Sequence, residues 1–231
     1  MRAVSATLLL LSVLTPLFFA HPALAEPGAV LDATEIKRLE PGGHACAITF
    51  DDGPGKYTPA LLDLLKERGI HATFFVLGMH VEKAADTVRR IAAEGHEIDN
   101  HSYDHPLLRH LTEAQQKQEM DRTELALKAL GVIPHFFRPP YGSYDSETVR
   151  AAAEDNLVLA LWSVDSLDWK YHTVKGIEAQ VLPKGHIEPR GIFLFHDIHR
   201  TTVRAMPDVL EKLAQAGCRF VTLSEWLAEE R

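Results

Sequence analysis

Two adjacent carboxylates, Asp51 and Asp52, end a largely apolar run, 45–50, and stand directly before Gly53-Pro54. Two ionised carboxylates in a partly dry site repel, so the pair calls for a nearby cation or a raised pKa; a solvated surface turn would tolerate it without either. Alternation along a strand would send the two side chains to opposite faces. Gly53-Pro54 takes the chain out of the strand there, which lets both approach one site. Further along, "HSYDHP" holds His101 and His105 at i, i+4 spacing, with Pro106 disfavouring helix at His105 and favouring a tight turn. Two imidazoles and one carboxylate form a ligand set for zinc or another divalent ion, with positions left open for water. In that reading one aspartate ligates the metal and the other takes a proton from the water it activates. With 13 histidines in the chain, a chance pair of exposed loop histidines is the competing reading.

Three more stretches place complementary chemistry where apolar runs end: "FFRPPYGSYD" (136–145), "WSVDSLDWK" (162–170) and "FLFHD" (193–197). Arg138 can hold a carboxylate in a bidentate pair. His196 can serve as a general acid if a carboxylate raises its pKa, and Asp165, Asp168 and Asp197 are the candidates for that partner. Tyr141 and Trp169 can wall a groove that suits sugar rings. For these two, as for Trp162, packing in the core is the alternative.

The elements that must position these residues alternate. Short apolar runs near 45–50, 72–77, 96–99, 135–138, 157–163, 191–196 and 219–222 read as strands. "HATFFVL", "LVLALWSV" and "GIFLFHD" are nearly continuous in apolar residues, as parallel strands covered on both faces are. Helical patterns near 58–68, 81–94, 112–130, 145–154, 173–182, 201–216 and 224–229 lie between and after them. Thr112 and Gly131 supply a start and a stop for one of them, and Gly69 closes another. Seven alternations imply an α/β domain whose catalytic groups gather at the strand ends. A distorted (β/α) barrel of about seven units is the expectation, with an open doubly wound sheet as the alternative. Residues 26–43, rich in Pro and Gly, read as a linker into the catalytic domain, 44–231.

The first 25 residues carry Arg2, an apolar stretch, and Ala23-Leu24-Ala25, the pattern of a secretory signal peptide cleaved near Ala25. The expected location is therefore periplasmic or secreted. Its apolar run is interrupted by Pro16 and His21 and is short for a membrane span. Cleavage would leave 206 residues and, with Arg2 removed, move the formal charge from −8 to −9. That balance excludes the basic faces that nucleic acids select, and nothing implies a stable protein partner. Cys46 and Cys218 can pair in an oxidising compartment or remain two buried thiols.

Taken in order, "TFDDGP", "HSYDH", "RPPY", "DSLDW" and "LFHD" resemble the five motifs of the polysaccharide deacetylases, carbohydrate esterase family four with its NodB-homology domain, over about 44–226. The resemblance implies a distorted (β/α) barrel that hydrolyses N-acetyl groups from an N-acetylated polysaccharide such as peptidoglycan or a chitin-like polymer. It implies Asp51 as base, Asp52, His101 and His105 as metal ligands, and Arg138 as the residue orienting the base. The Tyr141 backbone amide would help hold the oxyanion, Trp169 would line the groove, and Leu194 the acetyl-methyl pocket. His196 would be the acid, with Asp168 its partner ahead of Asp165. The cofactor would be one divalent ion, zinc first, with cobalt, manganese or nickel also able to occupy such a set. O-acetyl xylan esterase, amidase on a non-sugar substrate, and a glycan-binding module with a structural metal are the competing functions. The last needs neither a base at Asp51 nor an acid at His196.

Overall fold

The computed structural model describes residues 26–39, 44–182 and 189–229. The expected signal segment lies outside them. The strands are β1 (Val30–Leu31), β2 (Ala45–Gly53), β3 (Thr73–Val76), β4 (Glu97–Asn100), β5 (Phe136–Phe137), β6 (Val158–Ala160), β7 (Val164–Asp165), β8 (Gly191–His196) and β9 (Arg219–Val221). The helices are α1 (Ala33–Leu39), α2 (Thr58–Arg68), α3 (Gly78–Lys83), α4 (Ala85–Ala93), α5 (Glu113–Lys128), α6 (Ser146–Glu154), α7 (Val174–Val181), α8 (Arg200–Gln215) and α9 (Leu223–Glu229). Local chemistry accounts for several ends. Gly69, at φ 62°, closes α2 by donating to Lys66 and Leu65 carbonyls. Reciprocal capping boxes, Thr112 with Gln115 and Asp145 with Thr148, open α5 and α6.

Among the described residues every strand pairing is parallel, in the order β1-β6-β5-β4-β3-β2-β8-β7, with β9 alongside the first three residues of β2. The sheet curls until its two edges nearly meet. Leu161 N–H donates to Leu31 in β1, and two residues later Ser163 N–H donates to Ile192 in β8. The expected distorted (β/α) barrel is thus closed by one short crossing of chain rather than by a ninth ladder.

Alternation along β2 explains the two faces. Cys46, Ile48 and Phe50 join the outer core beneath α2, α4 and α8, with Leu61, Ile91 and Val209. Ala45 and Ala47 point inward with Phe75, Phe136, Ala160 and Ile192, over a floor made by Ile36 and Trp226. The same period carries Thr49 and Asp51, and in β8 Leu194 and His196, up the inner face.

Three expectations change, and one open question is settled. The linker expected over 26–43 is not simply irregular in its described part, 26–39: β1 adds an edge to the sheet, and α1 buries Ile36 completely. The helix expected over 81–94 is two, separated at Ala84, whose φ −129° and ψ 40° are not helical. The run 157–163 is not one strand, because it leaves β6 to cross the barrel and pairs again only as β7. The cysteines are joined as a Cys46–Cys218 disulfide, with Cα atoms 5.9 Å apart, since β9 runs beside the start of β2.

Candidate active site

The puzzle of two neighbouring carboxylates is solved by a β-bulge. Asp51 pairs with Phe75 and Gly53 with Val76, so Asp52 is an extra residue in the β2–β3 ladder. Its left-handed φ of 70° turns a side chain that regular alternation would send outward back toward the inner face. Glycine is required next: a Cβ on Gly53 would sit 2.5 Å from the Asp197 carboxylate oxygens beneath it.

The ligand-type residues after β4 are held by their own turn. Asn100 Oδ1 accepts from Ser102 N (2.9 Å), Ser102 Oγ from His105 N (3.1 Å), and Glu119 from the Tyr103 and Asp104 amides. His101 Nδ1 lies 2.7 Å from the Arg138 carbonyl. A carbonyl only accepts, so Nδ1 carries the proton and Nε2 presents its lone pair to the site. His101 Nε2 and His105 Nε2 are 3.5 and 3.4 Å from Asp52 Oδ1, which is buried without a hydrogen-bond partner. Two ligands about 2.0–2.1 Å from one tetrahedral ion lie ~3.4 Å apart. The orphaned oxygen, the spacing and the His2Asp donor set all fit a divalent cation. Burial would raise the Asp52 pKa, but His101, with His196 and His105, holds it well below the usual carboxylate range.

Asp51 and His196 occupy opposed positions in the β2–β8 register. Asp51 Oδ1 accepts from Arg138 at 2.8 Å. Arg138 is fully buried over the Phe75 ring, its other bonds going to Thr49 Oγ1 (2.6 Å) and the Ala160 (2.9 Å) and Leu161 (3.0 Å) carbonyls. Every one of its contacts is single, so the bidentate pair foreseen for it does not form. His196 Nδ1 bonds Asp168 Oδ1 at 2.7 Å, and Asp168 Oδ2 accepts from His196 N (2.7 Å) and Thr202 Oγ1 (2.6 Å). Burial pushes His196 down, yet the hydrogen bond and charge of Asp168, with Asp51 and Asp52 beyond, carry it up to about 9.

Of the three aspartates weighed as its partner, only Asp168 bonds the imidazole. Asp165 caps the Leu167 amide (2.8 Å) and faces the cleft. Asp197 lies on the opposite side of β8, accepting from Thr58 Oγ1, and burial raises it to about 7.

These groups open into a cleft of about 510 Å³, lined also by Pro139, Tyr141, Trp162, Trp169 and Leu194. Tyr141 (66% exposed) and Trp169 (53%) stand as walls rather than core, while Leu194 is buried at the base. Tyr141 is left-handed (φ 60°) in the turn Pro140–Gly142, which Gly142 and Ser143 close with their own amides, leaving the Tyr141 amide outside those bonds. Sequence reasoning missed Thr49, Asn100 and Thr202, which hold Arg138, the histidine turn and Asp168. Only Thr49 left a signal, two residues before Asp51 on the same face.

A family model described as polysaccharide deacetylase matches residues 38–160, so the stretches containing Asp168 and His196 lie beyond it. A peptidoglycan-N-acetylglucosamine deacetylase of Bacillus cereus is 40% identical over 183 residues, 77% of this chain and 66% of that protein. The peptidoglycan-N-acetylmuramic acid deacetylase PdaC of Bacillus subtilis is 37% identical over 198 residues, 85% of this chain and 41% of that one. The chain thus spans less than two thirds of the length of either relative. A family 4 carbohydrate esterase from Streptomyces lividans, solved in complex with acetate, superposes with a TM-score of 0.73 at 33% identity, covering 78% of this chain and 92% of that one. The curled parallel sheet, the five stretches at its upper rim and a family match over more than half the sequence lead to one conclusion: this chain belongs to the polysaccharide deacetylase family.

Proposed function

We propose that this protein is a metal-dependent hydrolase that removes N-acetyl groups from N-acetylglucosamine-type sugars of a polysaccharide, peptidoglycan or chitin-like, releasing acetate. The carrying observation is that an Arg-paired Asp51 and an Asp-paired His196 sit side by side across β2 and β8, beside the Asp52–His101–His105 cluster. A structural metal or a binding surface has no use for that pair.

Asp52, His101 and His105 would hold the cation, zinc by donor type, with cobalt, manganese or nickel as alternatives. When bound, such an ion acidifies water and polarises the acetamide carbonyl. Asp51, fixed by Arg138, takes a proton from the attacking water as its oxygen adds to the carbonyl carbon. The charge that develops on the carbonyl oxygen accepts from the Tyr141 amide, a contribution of ~3 kcal/mol for such a donor. His196, held at Nδ1 by Asp168, gives its Nε2 proton to the departing nitrogen. The C–N bond breaks, leaving acetate and a free amine, and Trp169 and Tyr141 stack against the sugar while Leu194 contacts the acetyl methyl. Export fits the N-terminal pattern and a disulfide of the kind oxidising compartments sustain.

The test is acetate release from N-acetylglucosamine oligomers, peptidoglycan and acetylated xylan, after chelation and after adding zinc or cobalt back. Metal-restored release from the N-acetylated glycans is expected. Asp51→Asn should abolish turnover while retaining metal by calorimetry, and His101→Ala should lose metal. Near-normal activity in either variant, or no release from any substrate by metal-loaded protein, overturns the reading.

A further inference from the structure

The two relatives described above are named for different sugars, N-acetylglucosamine and N-acetylmuramic acid. The second sugar is the first with a lactyl ether, bearing a carboxylate, on the hydroxyl oxygen of the carbon next to the acetamido carbon. A site that tells them apart must either accommodate or reject a negative charge beside the acetyl group.

Among the described residues lining the cleft, Asp165 is the one carboxylate that the proposed mechanism leaves unused. It pairs with Leu194 in the β7–β8 register. Register partners on parallel strands project to the same side, so the Asp165 carboxylate lies on the inner face beside the residue proposed to contact the acetyl methyl. Oδ1 is engaged by Leu167 N–H at 2.8 Å, in a turn closed by the left-handed Leu167 (φ 50°). Among the described residues no lysine or arginine lies within ion-pair distance of it. The described lining of the cleft holds three aspartates, Asp51, Asp52 and Asp165, and no lysine or arginine. Arg138, behind that lining, is fully buried, and four of its five N–H donors are engaged by Asp51, Thr49, Ala160 and Leu161.

We propose that Asp165 is a specificity residue that selects the uncharged N-acetylglucosamine unit: its second oxygen accepts from a ring hydroxyl of that sugar, and its charge repels the lactyl carboxylate of N-acetylmuramic acid. The proposal rests on the deacetylase reading. Discrimination then has two sources, a hydrogen bond made to one sugar and a like-charge penalty against the other.

The experiment compares three oligosaccharides of equal length with the metal-loaded enzyme: an N-acetylglucosamine tetramer, an alternating tetramer with N-acetylmuramic acid bearing the free lactyl acid, and the same tetramer with the lactyl group as its primary amide. Mass spectrometry locates each deacetylated unit. Wild type should favour glucosamine units, and amidation should raise kcat/KM at the muramic unit about five- to tenfold, less at high salt. Asp165→Asn keeps the oxygen that receives the Leu167 amide. It should raise KM for the neutral tetramer a few-fold and remove most of the amidation effect. An unchanged glucosamine-to-muramic ratio in that variant overturns the proposal, and so does wild-type enzyme that turns over acid and amide equally slowly. Absence of release from all three by wild type overturns the deacetylase reading, and the specificity assignment with it.

Discussion

Replacing Asp168 by Asn tests whether His196 owes its charge to that carboxylate. Asp168 is wholly buried and receives three donors, two of them from His196 itself. Burial alone lowers an imidazole pKa; here the Asp168 bond and charge, with Asp51 and Asp52, raise it from 6.5 to about 9. That interval of about 2.5 pH units, at ~1.4 kcal/mol each, corresponds to ~3.5 kcal/mol. The folded pKa lies above the unfolded one, so this stabilisation is fully present below about 6.5 and is lost as pH rises through about 9. Asn preserves shape without charge, so His196 should then titrate at or below 6.5. Imidazole C–H resonances followed through a pH titration of the metal-free protein read this directly. Urea unfolding at pH 6 and pH 9.5 should show wild type losing ~3 kcal/mol more than the variant across that interval, and the alkaline limb of activity should move to lower pH. A variant in which His196 still titrates within about half a unit of wild type refutes the coupling.

Three other outcomes are expected. Arg138→Met leaves the buried Asp51 carboxylate unpaired and strips Thr49, Ala160 and Leu161 of a donor, so urea unfolding should show a loss of about 3–5 kcal/mol, with turnover at least a hundredfold lower. The Cys46–Cys218 bond spans a sequence separation of 172; replacing both by Ala should cost about 2–5 kcal/mol and lower Tm, with reducing agent doing the same to wild type only. Trp169 is half exposed on the cleft wall, so Trp169→Ala should leave Tm within about 1 °C and raise KM for oligomers about tenfold. An unchanged KM would remove Trp169 from the groove.

What could be read from the sequence is whatever local spacing encodes. Continuous apolar runs at 72–77 and 191–196 identify strands covered on both sides, and Thr112, Gly69 and Gly131 mark helix ends through hydrogen bonds made within a few residues. The types and order of Asp51, Asp52, His101, His105, Arg138 and His196 suffice to name the chemistry. Tertiary structure decided what depends on partners distant along the chain. Asp165 and Asp168 offer the same functional group three residues apart, and only the turn after β7, together with Thr202 on α8, brings Asp168 to the imidazole. Pairing of Cys46 with Cys218 waited on β9 lying beside β2, and the role of residues 26–39 on β6 having a free edge for β1 to fill. Asp52 reaches the metal-type cluster because of a bulge, and a bulge is a mismatch in count between two paired strands. No single strand contains that information: a residue becomes extra only when the strand beside it is in register.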